Sequence, residues 1–452
     1  MSYSVTNVQP ALQHLPPNFN PWVLRACQLG MPLWIRFNAP IREIQTDHVE
    51  RLAELYSQFQ QKKIRFLIAF RHLCTDDPYP ISQLLWRQVP QAAASKGIQL
   101  STPIHIYFMY DRGIPIWAGG YVTWLFPRLG GTSIMRGKLD RQGLKSARTL
   151  FSNGQFPLAA SPEGSTNGHN QRVSPLEPGI AQLGFWCAED LQKDNRTEEV
   201  LIVPLGLQYQ YLEADWAAVA DLLSQMERDC GLTPVADNRS PNYETLYPRL
   251  VGLGTRLLGL MENFYRQFYH QTLPGEMAEM SLPERLQNLL DMALRVAENY
   301  FAVQPKGSLT DRCRRLEQAG WDCIYREDIP KVESLSPVER GLANQIAEEA
   351  GLRMWHMRLV ESFVAVSGRY VQENPTYDRF AETSLILWKT LTWLKGGQPI
   401  QRPSLGAQRA RMTVAEPISV SQRLPDYKAS RRQAVAKLTR DLQTMLEGMI
   451  FD

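Results

Sequence analysis

A histidine and an aspartate five residues apart follow the first strongly apolar run of the chain. The run is residues 64–70 (IRFLIAF), and the pair is His72 and Asp77. A turn between them would bring the Asp77 carboxylate onto one imidazole nitrogen and leave the other nitrogen free as a general base. The alternative is structural: Asp76 or Asp77 caps a helix predicted over 81–96, and His72 merely lies nearby.

A second polar segment, residues 161–169 (SPEGSTNGH), also follows an apolar run, residues 156–160. Its glycines, among them Gly164, allow the backbone to approach a polar substrate closely. The Glu163 carboxylate could hydrogen-bond a substrate hydroxyl, and Ser165 adds a small polar side chain beside it. An ordinary polar loop with glycine turns would contain the same residues.

Basic side chains concentrate after a third short apolar run, residues 132–135. Arg136 ends this run, and its guanidinium would suit a phosphate because it can donate two hydrogen bonds at once. The next basic residues, Arg141, Lys145 and Arg148, stand at helical spacing, which is typical of a solvated helix face. Arg136 is therefore the candidate ligand-binding residue of this stretch.

These motifs lie in a region where strand and helix patterns alternate. Short apolar runs predict strands at 64–70, 104–110, 132–135, 156–160 and 200–207, and helical periodicity predicts helices at 81–96, 140–153 and 177–191. The alternation predicts an α/β layer architecture. Pro204, preceded by Val203, lies inside the last run, and we expect the strand to end there.

From about residue 214 the pattern is helical almost throughout. Helices are predicted at 216–228, 244–271, 282–301, 338–367 and 381–394. In the fourth of these, six apolar residues fall near one face and predict its buried side: Leu342, Ile346, Leu352, Trp355, Leu359 and Phe363. A short strand (411–414 with 418–420) and a last helix (428–449) follow.

Residues 21–37 (PWVLRACQLGMPLWIRF) combine tryptophans and other apolar residues with two arginines. Such a composition suits a helix lying in a membrane interface. Packing against the protein core explains it equally well.

Composition excludes several classes of protein. The 452 residues contain 49 Lys and Arg against 46 Asp and Glu, and the resulting net charge of +3 argues against a nucleic-acid-binding protein. The six cysteines form no C-x-x-C pair, which fits neither a zinc ribbon nor a disulfide scaffold and favours reduced thiols in a cytoplasmic protein. No apolar run reaches the ~18 residues of a spanning helix, and the N-terminus lacks the features of a secretory signal.

Taken together and in order, four segments resemble the motifs of the glycerolipid acyltransferase family, the glycerol-phosphate and 1-acylglycerol-3-phosphate acyltransferases of the H-x4-D type. The segments are His72-x4-Asp77, GTSIMR at 131–136, SPEGSTN at 161–167 and VP at 203–204. The segment VAEPISV at 414–420 is similar to the family's late G-E-P-I strand. The resemblance implies a mixed sheet flanked by helices.

The resemblance also implies a domain organisation. Residues 1–40 would be an N-terminal segment, 41–213 the acyltransferase core, 214–405 a helical insertion, and 406–452 the returning strand and closing helix of the core. A separate C-terminal helical domain is the alternative for the region after 214.

The roles that the resemblance implies follow the family's reaction. His72 would be the general base and Asp77 would orient it, while Arg136, Glu163, Gly164 and Ser165 would bind the acceptor. The implied reaction moves a fatty acyl group from a thioester of coenzyme A or acyl carrier protein to the hydroxyl of a phosphoglycerol, with 1-acylglycerol-3-phosphate as the first expectation. No bound cofactor or metal is implied. The implied setting is the cytoplasmic face of a membrane, as a peripheral protein.

Three departures from the family's pattern bear on the acceptor. Arg71 replaces the usual Asn before the histidine, Ser161 replaces a Phe, and Thr166 replaces an Arg that would bind phosphate; Arg172 could take over the last role. Glycerol-3-phosphate or another lipid hydroxyl is therefore an alternative acceptor. A catalytically silent lipid-binding protein is the alternative from a different functional class.

Overall fold

The apolar runs of the sequence form the strands of the structure, a computed structural model that describes residues 6–135, 140–164, 166, 168–234, 240–271, 280–363, 368–397 and 402–451. In chain order the strands in these ranges are β1 (Gln9–Pro10), β2 (Ile41–Asp47), β3 (Ile64–Phe70), β4 (Tyr107–Asp111), β5 (Gly131–Ile134), β6 (Leu158–Ala160), β7 (Glu199–Tyr211), β8 (Tyr325–Arg326), β9 (Gln408–Val414) and β10 (Ile418–Ser419).

The same ranges contain the helices, again in chain order. They are α1 (Pro21–Asn38), α2 (Val49–Gln60), α3 (Pro78–Gln83), α4 (Val89–Ser95), α5 (Ile114–Ala118), α6 (Tyr121–Arg128), α7 (Arg141–Asn153), α8 (Gly179–Lys193), α9 (Trp216–Asp229), α10 (Tyr243–Phe268), α11 (Leu282–Phe301), α12 (Leu309–Ile324), α13 (Pro337–Glu361), α14 (Tyr370–Glu373), α15 (Tyr377–Leu394), α16 (Leu424–Ala429) and α17 (Arg431–Glu447).

The chain divides into two units, each discontinuous in sequence. A sheet unit comprises residues 13–212 together with residues from 407 onward, and a helical unit comprises the first twelve residues together with 213–406. Strands β1 and β8 pair with each other in the helical unit, and every other strand belongs to the sheet unit.

The sheet unit is built on a mixed eight-stranded sheet, counted over the described residues. Its order is β2-β9-β7-β3-β6-β4-β5, and β10 pairs with β7 beside β9. Strand β3 is parallel to both of its neighbours, β6 and β7, whereas β9 runs antiparallel to β7. The α/β architecture with a mixed sheet is thus confirmed.

Helices cover both faces of this sheet. Phe66 and Ile68 of β3 pack into one core with α2 and α4, and Leu67 and Ala69 pack into the other with α7, α8 and α17. Because side chains alternate along a strand, burial on both faces requires an unbroken apolar run. This is the reason that the sequence predicted the bounds of β3 correctly.

Strand β7 contradicts the prediction that it ends at Pro204. It continues to Tyr211. Pro204 lies between two successive partner strands on one side of β7, because β10 pairs with residues 201–202 and β9 pairs from Leu205 onward. The Pro204 carbonyl accepts the N–H of Ala415 on that side. Proline is tolerated there because the missing N–H falls in the gap between the two partner strands.

The helix predicted over 81–96 is also different in the structure. It starts earlier, at Pro78, and a π-helical turn, Leu84–Gln88, separates α3 from α4. Similarly, the predicted last helix is two helices that meet at Ser430. Prolines at the first turns of α3, α4 and α16 suit helix starts, because a first-turn residue needs no N–H donor.

In the helix predicted over 338–367, the buried face is predicted correctly only toward its C-terminal end, where Leu359 and Phe363 are buried. Leu342, Ile346 and Leu352 are 64%, 44% and 54% exposed, whereas Ala343, Ala347, Ala350 and Met354 are buried. Helix α13 packs against α11 and α12, and small alanines permit a close approach between helices. The prediction is wrong for the first part of α13, because alanines rather than larger residues form the contact there.

Candidate active site

Two polar loops leave the sheet at the same edge. Strands β3 and β6 are parallel neighbours, so the loops that follow them, 71–77 and 161–178, emerge side by side. The N–H of Arg71 still donates to the Leu205 carbonyl of β7 at 3.1 Å, and the chain then leaves the sheet. The N–H of Gly168 donates to the Leu73 carbonyl at 3.2 Å and joins the two loops.

His72 and Asp77 are in direct contact. Nδ1 of His72 lies 2.7 Å from Oδ2 of Asp77. Because an ionised carboxylate only accepts hydrogen bonds, this contact places the ring proton on Nδ1 and makes Nε2 the basic nitrogen. The His72 side chain is 31% exposed and that of Asp77 is fully buried, so solvent and substrates can reach the histidine alone.

The Asp77 carboxylate is held by several donors besides the histidine. The backbone N–H groups of Leu73 and Cys74 donate to Oδ2 at 2.7 and 3.2 Å, and the Tyr209 hydroxyl donates to Oδ1 at 2.8 Å. Asp77 precedes α3, but its side chain makes no capping bond to that helix. The capping alternative is therefore wrong for Asp77, because its oxygens point back to residues 72–74.

Glu163 connects the two loops from a fully buried position. Its Oε1 accepts the N–H of His72 and its Oε2 accepts the N–H of Ser174, each at 3.0 Å. Burial raises the pKa of the Glu163 carboxyl, an effect that Arg71 and these hydrogen bonds partly oppose. The side chain has no exposed surface. In this geometry Glu163 positions the backbone of His72.

Arg71, which the sequence marked only as a departure from the family pattern, organises the second loop. Its guanidinium is buried and donates to the carbonyls of Asn170 and Arg172 at 2.6 Å each and of His169 at 3.2 Å. It also faces Glu163, with 3.9 Å between Nε and Oε1. A planar group with several fixed donors can bind several carbonyls of one loop in this way.

The remaining predicted site residues are only partly described. Arg136 and Ser165 lie outside the described residues. Gly164 adopts a positive φ of 72°, a conformation that side chains rarely tolerate, so a glycine is required in the turn after Glu163. Before residue 136, the end of β5 is held by Asp140, which accepts the N–H of Met135 at 2.9 Å and pairs with Arg112.

Sequence reasoning missed Tyr209, Arg112 and Asp140 as members or supports of the site. Tyr209 lies 132 residues after Asp77, and no local spacing links the two. Within the described part of the chain, no group of three or more His, Cys, Asp or Glu residues could hold a metal ion.

No protein-family model matches this chain, and neither does any curated protein.

Proposed function

We propose that this chain is an O-acyltransferase that moves a fatty acyl group from an acyl thioester to the hydroxyl of a phosphoglycerol, with 1-acylglycerol-3-phosphate as the acceptor. The observation that carries the proposal is the His72–Asp77 pair, in which a buried carboxylate binds Nδ1 of a histidine whose side chain is partly exposed. The similarity of the four motifs to those of glycerolipid acyltransferases supports it.

The proposed reaction needs one base and no protein nucleophile. His72 Nε2 takes the proton of the acceptor hydroxyl while the hydroxyl oxygen attacks the thioester carbonyl carbon. The carbon–sulfur bond then breaks, and the leaving thiolate takes the proton back from the imidazolium, which gives an ester and a free thiol. The Asp77 charge stabilises the imidazolium formed in between, as in other base–carboxylate pairs.

Acceptor recognition is the part of the proposal that rests on sequence. Arg136 would bind the phosphate, with Arg172 as a second candidate, and the backbone around Gly164 would approach the glycerol. Coenzyme A and acyl carrier protein are both candidate carriers of the thioester.

Exposed aromatic and aliphatic side chains on the sheet unit support contact with a membrane surface. On α1, Trp22, Leu29, Leu33 and Phe37 are between 63% and 80% exposed, although Leu24 and Ile35 of the same helix are buried. One face of α1 thus packs inward, and the other face is open. No helix in the described ranges has the length and apolar character needed to cross a bilayer.

Helix α6 extends this apolar surface. The N–H groups of Asn18 and Asn20 donate to the carbonyls of Pro127 and Arg128 at 2.8 and 2.9 Å, so the start of α1 is fixed to the end of α6. Trp124 of α6 is 53% exposed. We define Trp22, Leu29, Leu33, Phe37 and Trp124 as the apolar patch.

The apolar patch borders the candidate site. Trp34 of α1 packs on Tyr79, two residues after Asp77, with 4.6 Å between ring centroids. A protein bound to a membrane through the patch would hold His72 close to the lipid surface. Aromatic residues with nearby arginines, here Arg25 and Arg36, suit the interface of an anionic membrane.

Acyl transfer assays on the His72→Ala variant test the proposal. The donors are acyl-coenzyme A and acyl-acyl carrier protein, and the acceptors are 1-acylglycerol-3-phosphate and glycerol-3-phosphate. We expect His72→Ala to lose on the order of 10²–10⁴-fold in rate, the usual contribution of a general base. The matched control is His48→Asn: His48 is exposed, and its positive φ of 62° suits Asn.

The acceptor used faster by the wild type distinguishes the two phosphoglycerols. Equal rates in His72→Ala and the wild type would remove the histidine from the reaction. A folded wild type that transfers to neither acceptor would favour another lipid hydroxyl or a silent lipid-binding protein.

A further inference from the structure

The helical unit contains an apolar pocket that has no part in the proposed reaction. It is formed by α10, α11, α14, α15 and the C-terminal end of α13, and its cavity volume is about 120 Å³. Leucines dominate its walls, for example Leu257, Leu286, Leu290 and Leu387.

Three polar side chains of the wall already have hydrogen-bond partners within the protein. The hydroxyls of Thr383 and Thr390 donate to the carbonyls of Arg379 and Ile386 in their own helix, each at 2.9 Å. The Tyr370 hydroxyl donates to the buried Glu382 carboxylate at 2.7 Å. A polar ligand would therefore find few hydrogen-bond partners inside the pocket, whereas a hydrocarbon needs none.

At Gly254 the described residues leave open space beside α10. Glycine is a poor residue for the middle of a helix, and one is usually retained there where another element packs closely against it. A Cβ built on Gly254, however, meets no atom of the described residues within 4 Å, although Gly254 lines the pocket. The absent side chain thus widens the pocket.

We propose that this pocket binds one hydrocarbon chain of a lipid, either a free fatty acid or the acyl chain of a larger lipid. Apolar cavities of this kind do not retain water well and take up apolar ligands instead. A single unbranched chain fits a pocket that runs between helices and whose walls are mostly apolar. The chain end would lie among the leucines, and the polar head would remain at the mouth, where Gln372 is an exposed wall residue. This site does not depend on acyl transfer by His72.

Binding of cis-parinaric acid, a fatty acid whose chain becomes fluorescent in an apolar environment, tests the proposal on the full chain. We expect saturable binding by the wild type and by His72→Ala. The Gly254→Leu variant places a side chain in the pocket. We expect this variant either to bind one chain fewer per protein than the wild type or to bind the chain about tenfold more weakly. A tenfold weaker affinity corresponds to losing the burial of about two methylenes. Leucine is a good helix former, so α10 is expected to persist.

Gly252→Leu is the matched control. It adds the same side chain to the same helix, but Gly252 is exposed, also has no atom within 4 Å of a built Cβ, and does not line the pocket. We expect it to bind parinaric acid as the wild type does. Circular dichroism and thermal unfolding verify that both variants fold, and Leu286→Trp fills the pocket from α11 if Gly254→Leu does not fold.

Displacement distinguishes the two sources of the chain. Oleic acid displacing the probe more strongly than 1-oleoyl-lysophosphatidate would identify a free fatty acid, and the reverse order would identify the chain of a phospholipid. Absence of binding by the wild type, or unchanged binding by folded Gly254→Leu and Leu286→Trp, would overturn the proposal. Loss of activity in His72→Ala with normal probe binding separates this site from the proposed acyl transfer.

Discussion

The Tyr209 hydroxyl donates a 2.8 Å hydrogen bond to Oδ1 of Asp77, although the two residues lie 132 positions apart in the chain. Burial, and then the Asp77 charge, hold the pKa of this hydroxyl well above its ordinary value, so it remains a donor. The tyrosine is on β7, next to the strand that leads to His72. A central strand of the sheet therefore fixes the carboxylate that orients the histidine.

The Tyr209→Phe variant tests this contact. Removing one hydrogen bond to a buried charged group should lower the free energy of unfolding by about 1.5–3 kcal/mol. We also expect a lower kcat with little change in the KM for the acceptor, because the tyrosine acts through Asp77. Denaturant unfolding and steady-state kinetics measure the two effects. Tyr211→Phe, on the same strand, is the control, and an equal kcat loss there would argue against a specific role for Tyr209.

Asp77→Asn should be more severe for activity. An amide cannot carry the charge that stabilises an imidazolium, and its NH₂ group would favour a proton on Nε2 of His72 rather than on Nδ1. We expect a loss on the order of 10²–10⁴-fold in kcat/KM for a fold that still shows cooperative unfolding. Activity close to that of the wild type would mean that His72 needs no oriented carboxylate.

The stability contributed by Glu163 should depend on pH in a defined direction. Its pKa in the folded protein is raised above the ordinary 4.5, mainly by burial, so the fold binds this proton more tightly than the unfolded chain does. The resulting stabilisation is complete below about pH 4.5 and is lost as the pH rises through the raised pKa.

The comparison with Glu163→Gln measures this dependence, because glutamine does not titrate. We subtract the free energy of unfolding of Glu163→Gln from that of the wild type. We expect this difference to decrease between pH 4.5 and neutrality. A difference that instead increases with pH would show that Arg71 and the two N–H donors outweigh burial.

The apolar patch should control binding to membranes. The double variant Leu33→Ser with Phe37→Ser removes two side chains that are 63% and 74% exposed, so the fold should tolerate it. We expect at least about tenfold weaker binding to vesicles of phosphatidylcholine with phosphatidylglycerol. Burial of either side chain in the membrane would contribute more than about 1.4 kcal/mol, which is the free energy that corresponds to a tenfold change in Kd. Co-sedimentation measures the binding.

Val338→Ser with Leu342→Ser is the control for that experiment. These residues of α13 are 72% and 64% exposed, but they belong to the helical unit and not to the apolar patch. Vesicle binding that falls equally in both double variants would mean that exposed apolar area in general, rather than the patch, attracts the protein to lipid.

Local patterns of the sequence determined most of the secondary structure. The bounds of β3 and α11 were predicted to the residue, because a strand buried on both faces and a long amphipathic helix each impose a strong period on their own residues. The pairing of His72 with Asp77 was accessible for a related reason, since one turn of chain suffices to bring them together. Strand β2 and helices α2 and α12 were not predicted, although both helices are amphipathic.

Only the tertiary structure decided what surrounds those residues. In the sequence, Glu163 has the polar character of a substrate-binding residue. The structure places the loops after β3 and β6 side by side, and there the buried Glu163 carboxylate accepts two backbone N–H groups. Tyr209 and Arg71 acquired their roles in the same way, through strand neighbours distant in sequence. Periodicity reports how a residue relates to its own element, whereas burial and charge pairing depend on which other elements the fold places against it.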